Sequence, residues 1–532
     1  MKNIFSFILL AIMPGLFSAC LDDLDRFPTN DITAETVYAT YDGYRQVLAK
    51  VYGSYALSGN KGPDGSPDVQ GLDEGSNADF LRNLFNLQVM TTDEAICAWG
   101  DMGIPDLNYM NWSSSNPFTT GMYYRCMFQI TMVNEFLRES TDDRLGKRGI
   151  SGDQAVDIRL FRAEVRFLRA FQYWVMLDLF GNPPFVDENS PIGKYLPEQK
   201  TAKEIFGYIE SELRDIEGAL KDPRANEYGR VDRAACHALL ARLYLNAETY
   251  AGAGKYTEAA TYSKKVIDAG YALKTPYEDL FKADNQTNNP EVILSINYDG
   301  LKSRGNGGTS FLINASFKNQ REDDGGAVGY NDYFGMNSNG WGGNRTRSNL
   351  TGRFDMDNDR RALFRGVKPD VETVNNFEDG LATAKFRNVT SAGTPGSNKA
   401  ESFADTDFPL FRLAEMYLTY AEAIMRGGSG GTHADALAYF NKIRERAYGN
   451  TSGNLSSVSL DDILDERARE LYWEGFRRTD LIRYGRYTGD AYLWQWKGGV
   501  KSGRAVEPFR ELFPLPSSDV TANPNLKQNT GY

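Results

Sequence analysis

From Phe161 onward the apolar residues Phe161, Val165, Leu168, Phe171 and Val175 recur at helical spacing, with Arg159, Arg162, Arg166 and Arg169 between them. Gly181 and the pair Pro183–Pro184 stop that helix. Thr201 followed by Glu204 has the form of a capping box and opens a helix running towards Leu220. Two further helical patterns, 231–247 and 256–270, are joined by a short link. Ala235, Ala238 and Ala241 line one side of the first, which allows a partner helix to approach closely. Such a hairpin resembles a tetratricopeptide unit, whose period is about 34 residues. A second hairpin is predicted over 411–428 and 434–447, and Ser459 with Asp462 caps a helix over 460–478. The expected fold class is mostly α, a tetratricopeptide-like helical-hairpin scaffold (an α-α superhelix) with long irregular loop elaborations. The scaffold falls mainly on 121–298 and 405–490.

Between these blocks the periodicity disappears. Residues 299–402 are rich in Gly, Asn and Ser, with Phe311, Tyr330, Tyr333, Phe334 and Trp341 scattered through them. Residues 58–118 read the same way and contain Trp99 and Trp112. Loops this long are commonly where binding sites sit.

The N-terminus changes the picture of where the chain works. Lys2, an apolar run over 4–12, the breakers Pro14 and Gly15, and small Ser18 and Ala19 form an export signal over 1–19. The run is too short to span a bilayer, which takes about 20 residues. Cys20 follows directly, and the layout resembles a bacterial lipobox, with Phe17 standing where a smaller aliphatic residue is usual. That resemblance implies lipidation at Cys20, an anchor that holds by burying acyl chains. Residues 20–532 then form one mature domain.

Charge and cysteine content exclude other classes. The 532 residues carry 59 basic and 71 acidic side chains, a net charge of −12, with no basic stripe, so nucleic acid is not an expected partner. Apart from Cys20 there are only Cys97, Cys126 and Cys236, which make no disulfide framework and no CxxC pair. They are expected to be buried thiols acting as small hydrophobes.

Several long motifs together carry a family resemblance. They are AEVRFLRAFQYWVMLDLFGNPPF (163–185), FPLFRLAEMYLTYAEA (408–423), NKIRERA (441–447), ERARELYWEGFRRTDLIRYG (466–485) and LFPLPSSDVTANPNLKQNTGY (512–532). They resemble the RagB/SusD family over nearly the whole mature chain. KGPDGSPDVQGLDEG (61–75), YGRVDRAA (228–235), ARLYLNA (241–247) and YLWQWKGG (492–499) resemble its starch-binding members. The resemblance implies an outer-membrane lipoprotein exposed at the cell surface, without catalytic activity. It also implies a partner, a TonB-dependent transporter of the SusC type, over which the lipoprotein sits as a lid. The implied ligand is starch or a maltooligosaccharide.

A sugar ring offers apolar C–H groups on its face and hydroxyls around its rim, so its site pairs flat aromatic surfaces with carboxylates and guanidinium groups. Carried over position by position, the resemblance puts Trp99 and Trp341 at two stations of an aromatic arc, and Asp73 and Arg82 at two polar contacts. Asn306 stands where the arc has a tyrosine, and a one-residue deletion disturbs the polar contact at Asp101 and Met102. Losing a stacking platform weakens α-glucan binding or retunes the site to another linkage. The plainer reading of a tryptophan is core packing, and Trp174, Trp473, Trp494 and Trp496, inside the helical and C-terminal motifs, are assigned to it. Trp112 is left between the two, and Asp73 and Arg82 equally suit a mutual pair or a turn cap. The family further implies a calcium site around 283–285 and 404–407, but Gln286 replaces one carboxylate there. Solvated surface acids are the competing reading, and no cofactor is expected.

Two other functions compete. A glycoside hydrolase needs opposed carboxylates about 5–9.5 Å apart. Glu466 and Glu470 lie one turn apart but alternate with Arg467 and Arg469, which points to ion pairs. With only His237 and His433, a histidine-based metal site or catalytic triad has little material. A tetratricopeptide adaptor that binds only protein is the other alternative.

Overall fold

A computed structural model of the chain describes residues 33–63, 65–318 and 329–532. The signal segment 1–19, Cys20 and the acids Asp22 and Asp23 lie outside the described residues.

The helices that build the scaffold are α1 (Tyr41–Ala56), α2 (Phe80–Gln88), α3 (Pro117–Glu139), α4 (Gly152–Phe180), α5 (Ala202–Ile216), α6 (Arg233–Leu245), α7 (Tyr256–Ile267), α8 (Leu413–Met425), α9 (His433–Tyr448) and α10 (Leu460–Leu471). Packing runs along the series: α3 on α4, α4 on α5, α6 on α7, α7 on α8 and α8 on α9. This is the predicted tetratricopeptide-like stack. α7 and α8 pack on each other although residues 268–412 separate them, so the loop-rich stretch is extruded between two adjacent layers.

Local chemistry explains the ends. Thr201 and Ser459 each accept the N3 backbone N–H in capping boxes completed by Glu204 and Asp462, as the spacing predicts. α4 stops at Gly181, whose φ of +72° is open to glycine. Ala235, Ala238 and Ala241 of α6 are fully buried, as close helix packing requires.

The structure departs from the periodicity in three places. The helix predicted over 460–478 ends at Leu471, because Trp473 and Gly475 take positive φ, and a separate short helix follows over Arg477–Arg483. The helix predicted to open at Phe411 starts only at Leu413, because Phe408–Arg412 is a strand paired antiparallel with Val292–Ile296. The stretches 58–118 and 299–402 are not bare loops, since they hold α2, short helices at Ile104–Tyr109 and Gly308–Asn314, and a two-stranded ribbon.

The alternating acids and arginines of α10 resolve into a buried ion network. Glu466 accepts from Arg361, Arg444 and Arg469, while Glu470 accepts from Arg361, Arg412 and Arg446. Arg412 also reaches Glu291 and Glu474, and Lys385 closes on Glu474. Burial on its own raises the Glu466 carboxyl, but Arg361, Arg469 and Arg444 override it and hold the group down at about 2. Permanently ionised and saturated with guanidinium groups, these glutamates are structural. His237 is buried with Nε2 2.8 Å from Glu217, and burial lowers its pKa. Cys97, Cys126 and Cys236 are free and buried, and burial pushes the Cys97 thiol up to about 12.

Candidate functional site

The site grows from the ribbon formed by β1 (Ala95–Cys97) and β3 (Asn344–Thr346), with β2 (Val292–Ile296) between them in sequence, and its register pairs Ala95 with Thr346 and Cys97 with Asn344. Antiparallel pairing sends the chain out of β1 and into β3 at the same end. Trp99, two residues past Cys97, and Trp341, three before Asn344, therefore emerge together from positions 242 residues apart in sequence. The loop before β3 is set by left-handed backbone at Asn339, Gly340, Gly342 and Gly343. A Cβ on Gly343 would collide with the Trp99 indole, and one on Gly340 with the Phe317 carbonyl. Trp341 is fixed by its own N–H, which donates to the Asn314 carbonyl at 2.7 Å.

Trp99, Trp341, Arg82, Asp101, Asn306 and Gly75 line one open depression of about 390 Å³. Five of the six predicted ligand residues thus converge. Trp99 and Trp341 are each only partly buried and present ring surface to solvent. Arg82, on α2, is buried with its guanidinium 4.7 Å from the Phe311 ring and 5.6 Å from the Trp99 ring. Contacts of that kind restrain the guanidinium, and Arg82 forms part of the lining of the depression. Asp101 is exposed at the rim, and its carbonyl accepts the Ile104 N–H at 3.0 Å.

Asp73 is the sixth, and it does not line the depression. Its carboxylate accepts the Gly75 N–H at 3.0 Å, while Arg82 donates to the Gly75 carbonyl. Asp73 and Arg82 therefore do not pair directly; they grip one glycine from either side.

Periodicity missed the layer beneath. Glu74 is buried, and its two oxygens accept the Asn306 N–H at 2.9 Å and the Asn306 amide at 3.0 Å. Asp79 is buried under Gly307, where a Cβ would strike its carboxyl. Burial and then the Glu74 charge push Asp79 up to about 7, against the pull of Arg125 and Arg82. The one available signal was the acid beside Asp73 in GLDEG, unremarkable by itself.

Other tryptophans divide differently. Trp112, left open by the sequence, is buried and donates from Nε1 to the Tyr532 hydroxyl at 2.6 Å, so it belongs to the core. Trp174, Trp473 and Trp494 are buried as expected. Trp496 departs from that group: it is half-buried beside a small cluster with Val371 and donates to the Val371 carbonyl at 2.9 Å. The acids considered for calcium are engaged by protein donors: Asp284 by Ser391, Asp405 by Gly300 and Ser397, and Asp407 by Tyr298 and Tyr228. Among the described residues no three His, Cys, Asp or Glu side chains gather as a metal site.

Known proteins share the scaffold on which this depression sits. The SusD family profile matches residues 339–532. The starch-binding protein SusD of Bacteroides thetaiotaomicron is 36% identical, over 100% of this chain and 99% of its own. A SusD-like protein of Bacteroides ovatus is 26% identical over 92% of this chain and 85% of its own. Among solved structures, surface glycan-binding protein A of Bacteroides thetaiotaomicron in complex with laminarihexaose superposes with a TM-score of 0.67 at 21% identity, covering 92% of this chain and 99% of that one. A SusD superfamily protein of Bacteroides vulgatus gives 0.70 at 18% identity, over 93% and 99%. The helical-hairpin scaffold that these structures share with the chain defines a fold of the SusD type. The chain belongs to the SusD family.

Proposed function

We propose that this protein is a lipid-anchored lipoprotein of the outer cell surface. It captures starch or maltooligosaccharides and passes them to a SusC-like TonB-dependent transporter. The observation that carries the glycan reading is the convergence of Trp99, Trp341, Arg82, Asp101 and Asn306 on one depression. Two indole faces supply apolar platforms for ring C–H groups, and the guanidinium, carboxylate and amide supply partners for hydroxyls. The starch-binding relative supports an α-glucan as ligand. Cys20, outside the described residues, supplies the anchor, and no helix of the described residues is long and apolar enough to cross a membrane.

One observation favours a second reading, the same role with a different glycan. Asn306 offers no stacking face where the starch-binding pattern has a tyrosine, and a structural relative carries laminarihexaose. Titration of the mature protein with maltoheptaose and with laminarihexaose decides between them. Saturable maltoheptaose binding supports the α-glucan site. A response to laminarihexaose alone keeps the role and changes the substrate. Silence towards every glycan, with copurification of a large β-barrel, returns the protein-adaptor alternative.

A further inference from the structure

A second cleft, of about 580 Å³, opens between α1, the first half of α4, the turn 227–230 and strand Val292–Ile296. It is larger than the tryptophan depression and lies within the range of about 300–1,000 Å³ typical of small-molecule sites. Room for it comes from α1, where Ala49 and Gly53 follow Arg45 at successive helical turns and place small residues along the wall.

Four tyrosines line this cleft: Tyr55 is buried and donates to the Leu168 carbonyl at 3.3 Å, and the other three are tied by their hydroxyls to carboxylates. Tyr41 donates to Asp157 at 2.8 Å, Tyr52 to Glu164 at 2.6 Å and Tyr228 to Asp407 at 2.9 Å. Glu164 and Asp407 are buried, and each has a second anchor, Arg230 on Glu164 and the Tyr298 N–H on Asp407. Tyr41 also stacks on Phe161, with ring centroids 6.3 Å apart. The hydroxyls are therefore occupied and the rings are held, so that what the tyrosines offer the cleft is aromatic surface. Tyr228 is 43% exposed despite its buried anchor, an arrangement without benefit to the core. The rim carries Arg45 and Lys221 beside Asp157 and Glu227, with the Asn297 amide. Balanced charge of this kind does not select a strongly charged ligand. Fixed aromatic faces, an apolar floor and a rim of both donors and acceptors fit a neutral compound with flat C–H surfaces and many hydroxyls.

The cleft is joined to the depression through one stretch of chain. Ser295 and Asn297 line the cleft, and Asn306, nine residues beyond Asn297, lines the depression. Between them Tyr298 is fixed at its N–H by Asp407, and Gly308 packs so closely on the Tyr298 ring that a Cβ would collide with it.

We propose that this cleft is a second glycan site, taking a short neutral oligosaccharide against Tyr41 and Tyr228. The inference shares only its ligand class with the function proposed above. The test uses mature protein with ¹³C-labelled tyrosine, carrying Trp99→Ala and Trp341→Ala to disable the first site. Maltotriose, laminaritriose and cellotriose are added at millimolar concentration. The expected result is saturable shifts of the Tyr41 and Tyr228 ring signals for at least one of the three. Adding Ala49→Phe, an exposed helix position whose ring fills the cleft, should abolish them. Tyrosine signals that ignore all three sugars, or shifts that survive Ala49→Phe, overturn the second site. Tyrosine shifts, alongside a parent protein in which Trp99 and Trp341 ignore every glycan, would sink the depression as the site and leave the cleft standing.

Discussion

Glu74 grips Asn306 twice, one carboxylate oxygen on its main-chain N–H at 2.9 Å and the other on its side-chain amide at 3.0 Å. With the Pro63 carbonyl, which accepts from the same amide at 3.2 Å, a buried acid thereby sets how Asn306 stands in the depression. Because both bonds are charge-assisted, their loss should be felt at the ligand before it is felt by the fold.

Glu74→Ala is expected to weaken glycan binding by about 3- to 10-fold, the scale of one or two hydrogen bonds. Calorimetry reads the affinity, and thermal melting run beside it separates a loosened Asn306 from a damaged fold. Unchanged affinity would remove Glu74 from the site's support.

Asn306→Tyr restores an aromatic surface while keeping the backbone N–H that Glu74 holds. Its α-glucan affinity is expected to rise by roughly tenfold, as one stacked ring contributes about 1–3 kcal/mol elsewhere. Trp341→Ala should lose a comparable amount. A gain for laminarihexaose and none for maltoheptaose would mean the site is shaped for the other linkage.

Gly343 carries a φ of +99° and sits against the Trp99 indole. Gly343→Ala is expected to cost about 1–3 kcal/mol in urea unfolding through backbone strain and steric conflict. Trp99 emission should shift as well, because the indole must move. Stability lost with an unshifted emission spectrum would leave the strain and remove the contact.

Asp79 has a folded pKa of about 7 against an ordinary value of 3.8. The folded state therefore holds its proton more tightly than the open chain, a contribution present below about pH 4 and lost as pH rises through about 7. Asp79→Asn keeps the neutral form throughout, so its advantage over the parent should grow from about pH 4 to 7 and level off above, reaching roughly 1–3 kcal/mol. Melting temperatures across that window check the sign. An advantage that shrinks as pH rises would contradict the buried protonated carboxyl.

Glu470 holds Arg361, Arg412 and Arg446 in the interior. Glu470→Ala removes the counter-charge all three share, leaving Arg361 to Asp359 and Glu466, Arg412 to Glu291 and Glu474, and Arg446 to Glu291, and should cost about 3–5 kcal/mol. Urea midpoints measure it, and the glycan affinity of the folded fraction should be unchanged.

Helical hairpins were legible because amphipathic spacing and capping boxes are local signals: Thr201 with Glu204 and Ser459 with Asp462 sit where they were expected. Trp473 was not, since an apolar residue continues a helical pattern even where tertiary packing turns its φ positive. In the site, Trp99 and Trp341 were legible from the family pattern, whereas their meeting depends on the pairing of Cys97 with Asn344, which has no local signature. Glu74 and Asp79 were out of reach for the same reason. An acid reads as solvated surface until the segment that covers it, here 305–307, is known.

The direct packing of α7 on α8 has a consequence for how such proteins diversify. The chain leaves the stack after α7 and re-enters it at α8, so everything between is a detour whose two roots are neighbours. Asn306 and Trp341 both ride on that detour. A new detour inherited from a relative would exchange two of the six residues lining the depression in a single recombination event. The helical layers would keep their packing where the new detour also returns the equivalents of Glu291, Arg361, Lys385 and Arg412 to the ion network around α10.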